Sequence, residues 1–211
     1  MGQRRGTGTH ESMFSVAPRE DLILATPAPT NLRVQATPLS DVLILEPRVF
    51  EDERGYFLES YNEKDTAQAG IQERFVQDNH SCSVRNVIRG LHYQVRHPQG
   101  KLVRVVEGEI LDVAVDLRRS SSTFGKWYAV TLSGHNKRIL WIPAGFAHGF
   151  RVLSADAHVL YKATNFHAPQ WERTILWNDR ELNIDWRLDG SPIVSRKDAL
   201  GSAFSEAEKF E

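Results

Sequence analysis

Ionisable side chains lie inside segments of this sequence that otherwise have the composition of buried strands. His92, Lys101, His148 and Tyr161 lie within or at the start of runs rich in Val, Leu, Ile and Phe. Burying such groups without partners costs several kcal/mol, so they either face solvent or line a polar cavity. Alternation along a strand would leave about half of them exposed. Their density instead favours a barrel whose interior holds a small polar ligand.

Two charged or ionisable residues of one segment have a spacing that an ideal strand does not explain. Arg89 and His92 are three positions apart, so a regular strand would direct them to opposite faces. Gly90 lies between them and offers a position for a β-bulge, which shifts the alternation by one residue. We therefore predict a bulge at Gly90 that brings both side chains to the same face.

The elements that would carry these residues are short strands separated by turn signals. Apolar runs on either side of the Glu-Gly pair at 107–108 predict a hairpin with strands at 101–106 and 109–115. Further strands are predicted at residues 42–45, 55–61, 87–94, 127–132, 138–142, 146–153 and 158–164. Many strands at intervals of about 8–12 residues predict an all-β fold, a single sandwich or barrel.

Helix signals are scarce in comparison. Asn62 is a candidate N-cap for a short helix that continues through Gln68 and ends at Gly70. Residues 197–210 are a second candidate, weakened by the glycine at position 201. The fold is therefore expected to be a β-barrel with a few short peripheral helices.

Length and composition limit the class of protein. The chain has 211 residues, 41% hydrophobic and 25% charged, which is typical of one globular domain. A formal charge of -1 lacks the broad basic field of a non-specific nucleic-acid binder, and no apolar run approaches the ~20 residues of a membrane span. Cys82 is the only cysteine, so an internal disulfide and a cysteine-based zinc site are excluded. These features predict a cytoplasmic protein.

The N-terminal region differs from the rest of the chain. Residues 1–37 are mainly small and polar, with a proline-rich stretch at 26–30, and Met13 offers an alternative start. Such a composition predicts a flexible extension, followed by a single domain at residues 38–211.

Several segments, taken together and in order, resemble one known family. The chain from about Asp41 to Asp198 is similar to the dTDP-4-dehydrorhamnose 3,5-epimerases, the cupin-fold enzymes of dTDP-L-rhamnose synthesis. The matching segments are residues 50–59, 75–81, 88–94, 99–104, 112–118, 141–150, 161–165 and 195–198. The resemblance implies a cupin-type jelly-roll barrel, a homodimer that exchanges N-terminal strands, and a reaction that needs no cofactor.

The resemblance also implies roles for particular residues. His92 would be the general base, oriented by Asp198; Tyr161 would be the general acid, and Lys101 would lie beside the C4 carbonyl oxygen of the sugar. The residues implied to hold the nucleotide sugar and its diphosphate are Arg54, Glu59, Gln77, Asn79, Arg89, His148, Glu172 and Lys197. After Asn165 the family commonly has tyrosines, one of which stacks on the thymine; here the pair is Phe166-His167, and either ring can stack.

The implied reaction converts dTDP-4-dehydro-6-deoxy-D-glucose to dTDP-4-dehydro-L-rhamnose, a precursor of cell-surface polysaccharide such as lipopolysaccharide O-antigen. It moves protons at C3 and C5 and involves no redox step, in agreement with a sequence that has no Gly-x-Gly-x-x-Gly fingerprint for a dinucleotide. An enzyme that epimerises only one of the two carbons is an alternative that the sequence separates poorly.

Two alternatives come from other functional classes. Residues 143–148 resemble the second metal motif of cupin dioxygenases, but the first motif needs a second histidine and a glutamate, and no acidic residue follows His92 before Glu107. With the ligand set incomplete, no metal is predicted. A barrel that binds a nucleotide sugar without turnover would not need the base and acid that His92 and Tyr161 supply.

Overall fold

The computed structural model describes residues 31–211. The strands are β1 (Leu32–Ala36), β2 (Leu43–Pro47), β3 (Val49–Asp52), β4 (Gly55–Leu58), β5 (Gln77–Val84), β6 (Val87–Gln94), β7 (Lys101–Asp116), β8 (Trp127–Ser133), β9 (Ile139–Ile142), β10 (Phe146–Ala163), β11 (Glu172–Thr174) and β12 (Ile193–Val194). The helices are α1 (Glu63–Gln68) and α2 (Arg196–Ala199), with a 3-10 turn at Pro169–Trp171. None of these helices, within residues 31–211, is long and apolar enough to cross a membrane.

Two long strands, β7 and β10, pair with each other along most of their length and join the two halves of the main sheet. The first part of β7 also pairs with β9, and its second part pairs with β8. Likewise, the first part of β10 pairs with β6 and its second part with β5. Strands β1 and β2 extend the β9 edge, β11 and β12 pair with β6, and β3 and β4 form a separate hairpin.

The main apolar core lies between these two halves. It contains side chains from both parts of β7 and β10, such as Val103, Ala114, Phe150 and Val159, all of which are buried. A second cluster packs the outer face of the β6–β7–β10 region under the C-terminal segment, and a third covers β2 and β9. Burial of one strand face in a shared core and of the other under loops explains why these strands are apolar almost throughout.

The predicted hairpin at residues 107–108 is wrong, because the chain continues through both residues as the single strand β7. Gly108 has a φ of 76°, and the register of β7 against β10 shifts at this point. A Cβ at Gly108 would lie only 2.1 Å from the carbonyl oxygen of Asp156, so the glycine permits a close approach of two backbones. It marks a bulge where β7 passes from one half of the sheet to the other, not a turn. For the same reason the strands predicted at 146–153 and 158–164 are one strand, β10.

The predicted helix ending at Gln68 is confirmed. Asn62 is its N-cap and accepts a hydrogen bond from the backbone N–H of Lys64 at 3.0 Å, and Gly70 follows with a φ of 90°.

The helix predicted at 197–210 is wrong beyond its first turn. It ends at Ala199, and the backbone of Ser202 then exchanges hydrogen bonds with the Thr174–Leu176 segment. Most of the extension predicted at 1–37 lies outside the described residues. Its described end contains β1, which pairs with β2.

Candidate active site

A bulge on β6 brings Arg89 and His92 to the same face, as predicted. His148 of β10 is paired with His92, whereas Phe150, two residues along, is paired with Arg89, so β6 has one extra residue in this interval. Ile88 and Leu91 consequently both pack in the outer cluster, and Arg89 and His92 both lie on the opposite face of β6. Gly90, with a φ of 122°, permits this conformation.

The interior face of these strands lines a cavity of about 290 Å³. Strands β5, β6, β7, β10 and β11 each contribute residues to it, most of them near a strand end. The lining residues are Gln77, Asn79, His92, Tyr93, Gln94, Gln99, Lys101, Tyr161, His167 and Glu172. The volume is near the lower end of the range for small-molecule sites and its walls are polar, as expected for a hydrophilic ligand.

His92 is held by a buried carboxylate. Its Nε2 lies 2.6 Å from Oδ1 of Asp198. Asp198 follows 106 residues later in the chain and is 3% exposed. The backbone N–H of Gly90 donates to the other oxygen at 3.3 Å, and Ser195 caps the helix that carries Asp198. A carboxylate only accepts hydrogen bonds, so Nε2 carries the proton and Nδ1 is the basic nitrogen.

The charge state of Asp198 follows from competing effects. Burial alone would raise its pKa, but the hydrogen bond and charge of His92, together with the Gly90 N–H, outweigh burial and leave the pKa below its usual value. Asp198 is therefore an anion that orients the His92 ring.

Lys101 is a buried cation at the first residue of β7. It is 9% exposed, and its Nζ donates to the carbonyl oxygen of His92 at 3.5 Å. Burial lowers the pKa of Lys101 to about 8, against the opposing influence of the Glu172 and Asp112 carboxylates, which raise it. The ammonium is thus charged at neutral pH but close to losing its proton.

Tyr161 lies on β10 directly opposite Asn79 of β5, and both line the cavity. Burial, and then the charge of Glu172, raise the pKa of Tyr161, while the charge of Arg89 lowers it. The phenol consequently keeps its proton and is able to donate it.

Glu172 connects several candidate residues at the cavity rim. It forms an ion pair with Lys197, and its Oε2 lies 3.5 Å from Nε2 of His167. Burial would raise the pKa of Glu172, but the hydrogen bond of Lys197 and the charges of Lys197 and His92 lower it overall. The carboxylate is therefore negative and holds two cationic or polar side chains at the rim.

His148 and Arg89 do not line the cavity: His148 is buried, and Arg89 is exposed. His148 is buried, with Nε2 at 3.0 and 2.9 Å from the two carboxylate oxygens of Asp112. Arg89 donates from Nε to the hydroxyl of Ser83 at 2.9 Å. Among residues 31–211, no three His, Cys, Asp or Glu side chains are placed to hold one metal ion.

Three residues of the sequence prediction lie away from the cavity. Arg54 is at the exposed tip of the β3–β4 hairpin and pairs with Asp52 of the same hairpin. Glu59 accepts a hydrogen bond from Asn31 at 2.9 Å, and the Phe166 ring is 66% exposed.

Conversely, Gln94 and Gln99 line the cavity and were not predicted as site residues. Gln94 follows His92 by two positions on β6, and this alternation was a signal that both share one face.

Comparisons with known proteins point to one family. A family model described as dTDP-4-dehydrorhamnose 3,5-epimerase matches residues 36–206. The dTDP-4-dehydrorhamnose 3,5-epimerase of Pseudomonas aeruginosa is 59% identical over 173 residues, covering 82% of this chain and 96% of the relative. That of Shigella flexneri is 55% identical over 181 residues, covering 85% and 99%.

One solved structure gives the fold. The crystal structure of the dTDP-6-deoxy-D-glucose-3,5-epimerase from Legionella pneumophila in complex with dTDP-4-keto-L-rhamnose is 48% identical, with a TM-score of 0.82. The match covers 84% of this chain and 95% of that one. The predicted all-β, cupin-type fold class is thereby confirmed.

Proposed function

The chain belongs to the dTDP-4-dehydrorhamnose 3,5-epimerase family, and from this premise we propose that its barrel cavity performs the proton transfers of that reaction. The enzyme is an isomerase of dTDP-rhamnose biosynthesis. The substrate in this proposal is dTDP-4-dehydro-6-deoxy-D-glucose and the product is dTDP-4-dehydro-L-rhamnose. The observation that best supports this proposal is the 2.6 Å contact between His92 and Asp198. His92 lines the cavity together with Lys101 and Tyr161.

His92 is proposed as the base at C3 and C5. The 4-keto group acidifies the hydrogens on both neighbouring carbons, so a positioned imidazole can remove them near neutral pH. Nδ1 of His92 takes the proton, and the imidazolium that forms is stabilised by the Asp198 anion on Nε2. The two electrons of the broken C–H bond move into the enolate, and no oxidant or reductant is involved.

Lys101 is proposed to stabilise the enolate oxygen. Negative charge develops at the C4 oxygen only as the proton leaves, so a cation placed there favours the transition state over the ketone. The ammonium of Lys101 is already desolvated by its burial, and its attraction to a new negative charge is correspondingly strong.

Tyr161 is proposed to return a proton to the opposite face of the same carbon. Its raised pKa keeps the phenol protonated before the transfer, and the positive charge of Arg89 favours the phenolate that remains. Each epimerisation thus moves one proton to His92 and one from Tyr161, and both groups then exchange with solvent.

The remaining polar residues are proposed to bind the nucleotide sugar. Arg89 and Lys197 supply positive charge for the diphosphate, and guanidinium groups bind phosphate through two parallel hydrogen bonds. His167 at the rim and the exposed Phe166 ring offer flat surfaces on which the thymine can stack. Gln77, Asn79, Glu172 and the interior His148 complete the set of proposed binding residues.

A homodimer with exchange of N-terminal strands is part of the proposal. The β3–β4 hairpin forms its own two-stranded sheet and exposes Phe50, Tyr56 and Phe57, at 43%, 55% and 65% of their surface. Apolar side chains exposed together in this way are typical of an interface. Insertion of the hairpin into a second copy would bring Arg54 towards the cavity of that copy. This would account for the distance between Arg54 and the cavity of its own subunit.

Subunit complementation tests the proposed dimer. We expect Arg54→Ala and His92→Ala each to be inactive, and co-refolding of the two to recover about a quarter of wild-type activity. Half of the dimers would be mixed, and each mixed dimer would have one intact site of two. No recovery in mixed dimers isolated by two affinity tags would refute exchange of the hairpin.

Isotope exchange tests the reaction itself. NMR of the substrate after turnover in D2O should show deuterium at both C3 and C5, whereas deuterium at one carbon would indicate a mono-epimerase. His92→Ala and Tyr161→Phe should lower turnover far more than they weaken dTDP binding. Tyr128→Phe, a partly buried tyrosine packed against the core, is the matched control and should remain active. If neither C3 nor C5 carries deuterium, the proposed chemistry is rejected.

The predicted cytoplasmic location stays a prediction.

A further inference from the structure

A second imidazole–carboxylate pair lies behind the cavity. Asp112 is fully buried on β7, and both of its carboxylate oxygens are within 3.0 Å of Nε2 of His148. Within residues 31–211, this ring is the only hydrogen-bond donor to the Asp112 side chain. A buried carboxylate is costly unless a partner compensates it, so the contact fixes the ring as firmly as it fixes the carboxylate.

The pair adjoins the residues proposed to act on the sugar. His148 and His92 are directly paired across β10 and β6, and therefore share one face of the sheet. Asp112 also acts electrostatically on Lys101, the buried cation on the same strand. Asp112 is fully buried and does not line the cavity, so it does not itself contact the sugar.

We propose that Asp112 is a positioning residue for the epimerisation, which fixes the tautomer of His148 and places a buried negative charge on the strand that carries Lys101. The inference rests on the proposed function, in which Lys101 stabilises the enolate oxygen. Because the carboxylate accepts hydrogen bonds only, Nε2 of His148 carries a proton and Nδ1 is left as a hydrogen-bond acceptor. An amide in place of the carboxylate could donate as well as accept, and would no longer enforce this tautomer.

Asp112→Asn is the informative variant, because it preserves shape and removes the charge. We expect kcat to fall about 10- to 100-fold with KM within about twofold, since the substrate does not contact the residue. The charged groups that act on Lys101 are the Glu172 and Asp112 carboxylates, and its Nζ also donates to the carbonyl oxygen of His92. Loss of one of the two carboxylates should move the alkaline fall of the kcat profile downward by about 0.5 to 1 on the pH scale.

Asp116→Asn provides the matched control. Asp116 is equally buried on β7, but its partners are Arg118, Ser121 and Thr123 in a structural turn. This variant should lower the melting temperature and leave the pH profile of kcat unchanged. If Asp112→Asn behaves in the same way, with lower stability but an unaltered profile and kcat, the positioning role is overturned.

A measurement on the wild-type enzyme keeps the inference testable even if Asp112→Asn does not fold. Long-range 1H–15N NMR distinguishes histidine tautomers, and the signal that disappears in His148→Gln identifies the ring. We expect a protonated Nε2, and a neutral ring protonated on Nδ1 alone would overturn the proposal. Failure of wild-type deuterium exchange at C3 and C5 would instead reject the proposed function, so the two outcomes are distinguishable.

Discussion

Replacement of the buried cation at the cavity should make the protein more stable and the enzyme much slower. Lys101→Met keeps the length of the side chain and removes its charge. Burial lowers the pKa of Lys101 from 10.5 to about 8, and this difference corresponds to about 3 kcal/mol by which folding disfavours the ammonium at pH 7. We expect the variant to gain up to that amount in free energy of unfolding, and to lose about 10²- to 10³-fold in turnover.

The pH dependence of this gain has a definite sign. Because the pKa of Lys101 is lower in the folded state, the unfolded chain binds more protons between pH 8 and 10.5. The stability of the wild type therefore rises with pH in this window relative to the variant. The advantage of Lys101→Met should shrink from about 3 kcal/mol at pH 7 to about 2 kcal/mol at pH 9.

Urea unfolding at pH 7 and pH 9, followed by circular dichroism, measures both quantities. Lys162→Met is the control, because Lys162 of β10 forms a partly exposed ion pair with Asp78 of the neighbouring strand β5. Such pairs contribute at most about 1 kcal/mol, and the control should be nearly neutral. A Lys101→Met protein that is less stable than the wild type at pH 7, or an advantage independent of pH, would refute the reasoning.

Three further predictions concern the same site. Turnover of the wild type should fall as the pH rises through about 8, where Lys101 loses its proton. Lys101→Arg, if it retains activity, should move this fall to higher pH. A kcat profile from pH 6 to 10 measures both. Asp198→Asn should lower kcat by about 10²- to 10⁴-fold with dTDP affinity, measured by calorimetry, within about twofold, and an equal loss in both would contradict an orienting role. Gly90→Ala should lower the free energy of unfolding by about 2 kcal/mol or more and abolish activity, because the new Cβ would lie 2.5 Å from Cα of Gly149. Thermal or urea unfolding measures the loss. The control is Gly70→Ala, which is also at positive φ but has nothing within 4 Å of the new Cβ, and it should remain active.

Local patterns in the sequence were sufficient for several parts of the fold. The Asn62 cap, the apolar composition of the strands and the Gly90 bulge depend on residues within a few positions of one another, and the structure confirms each. Turn prediction failed at Gly108 because a glycine at positive φ serves equally in a hairpin turn and in a bulge. Which of the two forms depends on the partner strand, which lies some 50 residues away in the chain.

The candidate site was likewise predictable from the sequence only in part. Residue types alone identified His92, Lys101 and Tyr161 as unusual in apolar strands, and ordered motifs identified the family, which the comparisons confirm. The distance from His92 to Asp198 was beyond sequence reasoning, because 106 residues separate them and only the packing of α2 against β6 brings them to 2.6 Å.

Burial and charge environment were decided by the tertiary structure alone. A lysine at the start of a strand has an ordinary pKa until neighbouring strands exclude water from it, and that exclusion is what lowers the pKa of Lys101 to about 8. The pairing of Asp112 with His148 likewise required two strands to meet in one register. The sequence by itself thus determined which functional groups are available, whereas the fold determined their distances and solvation, because both depend on contacts between segments distant in the chain.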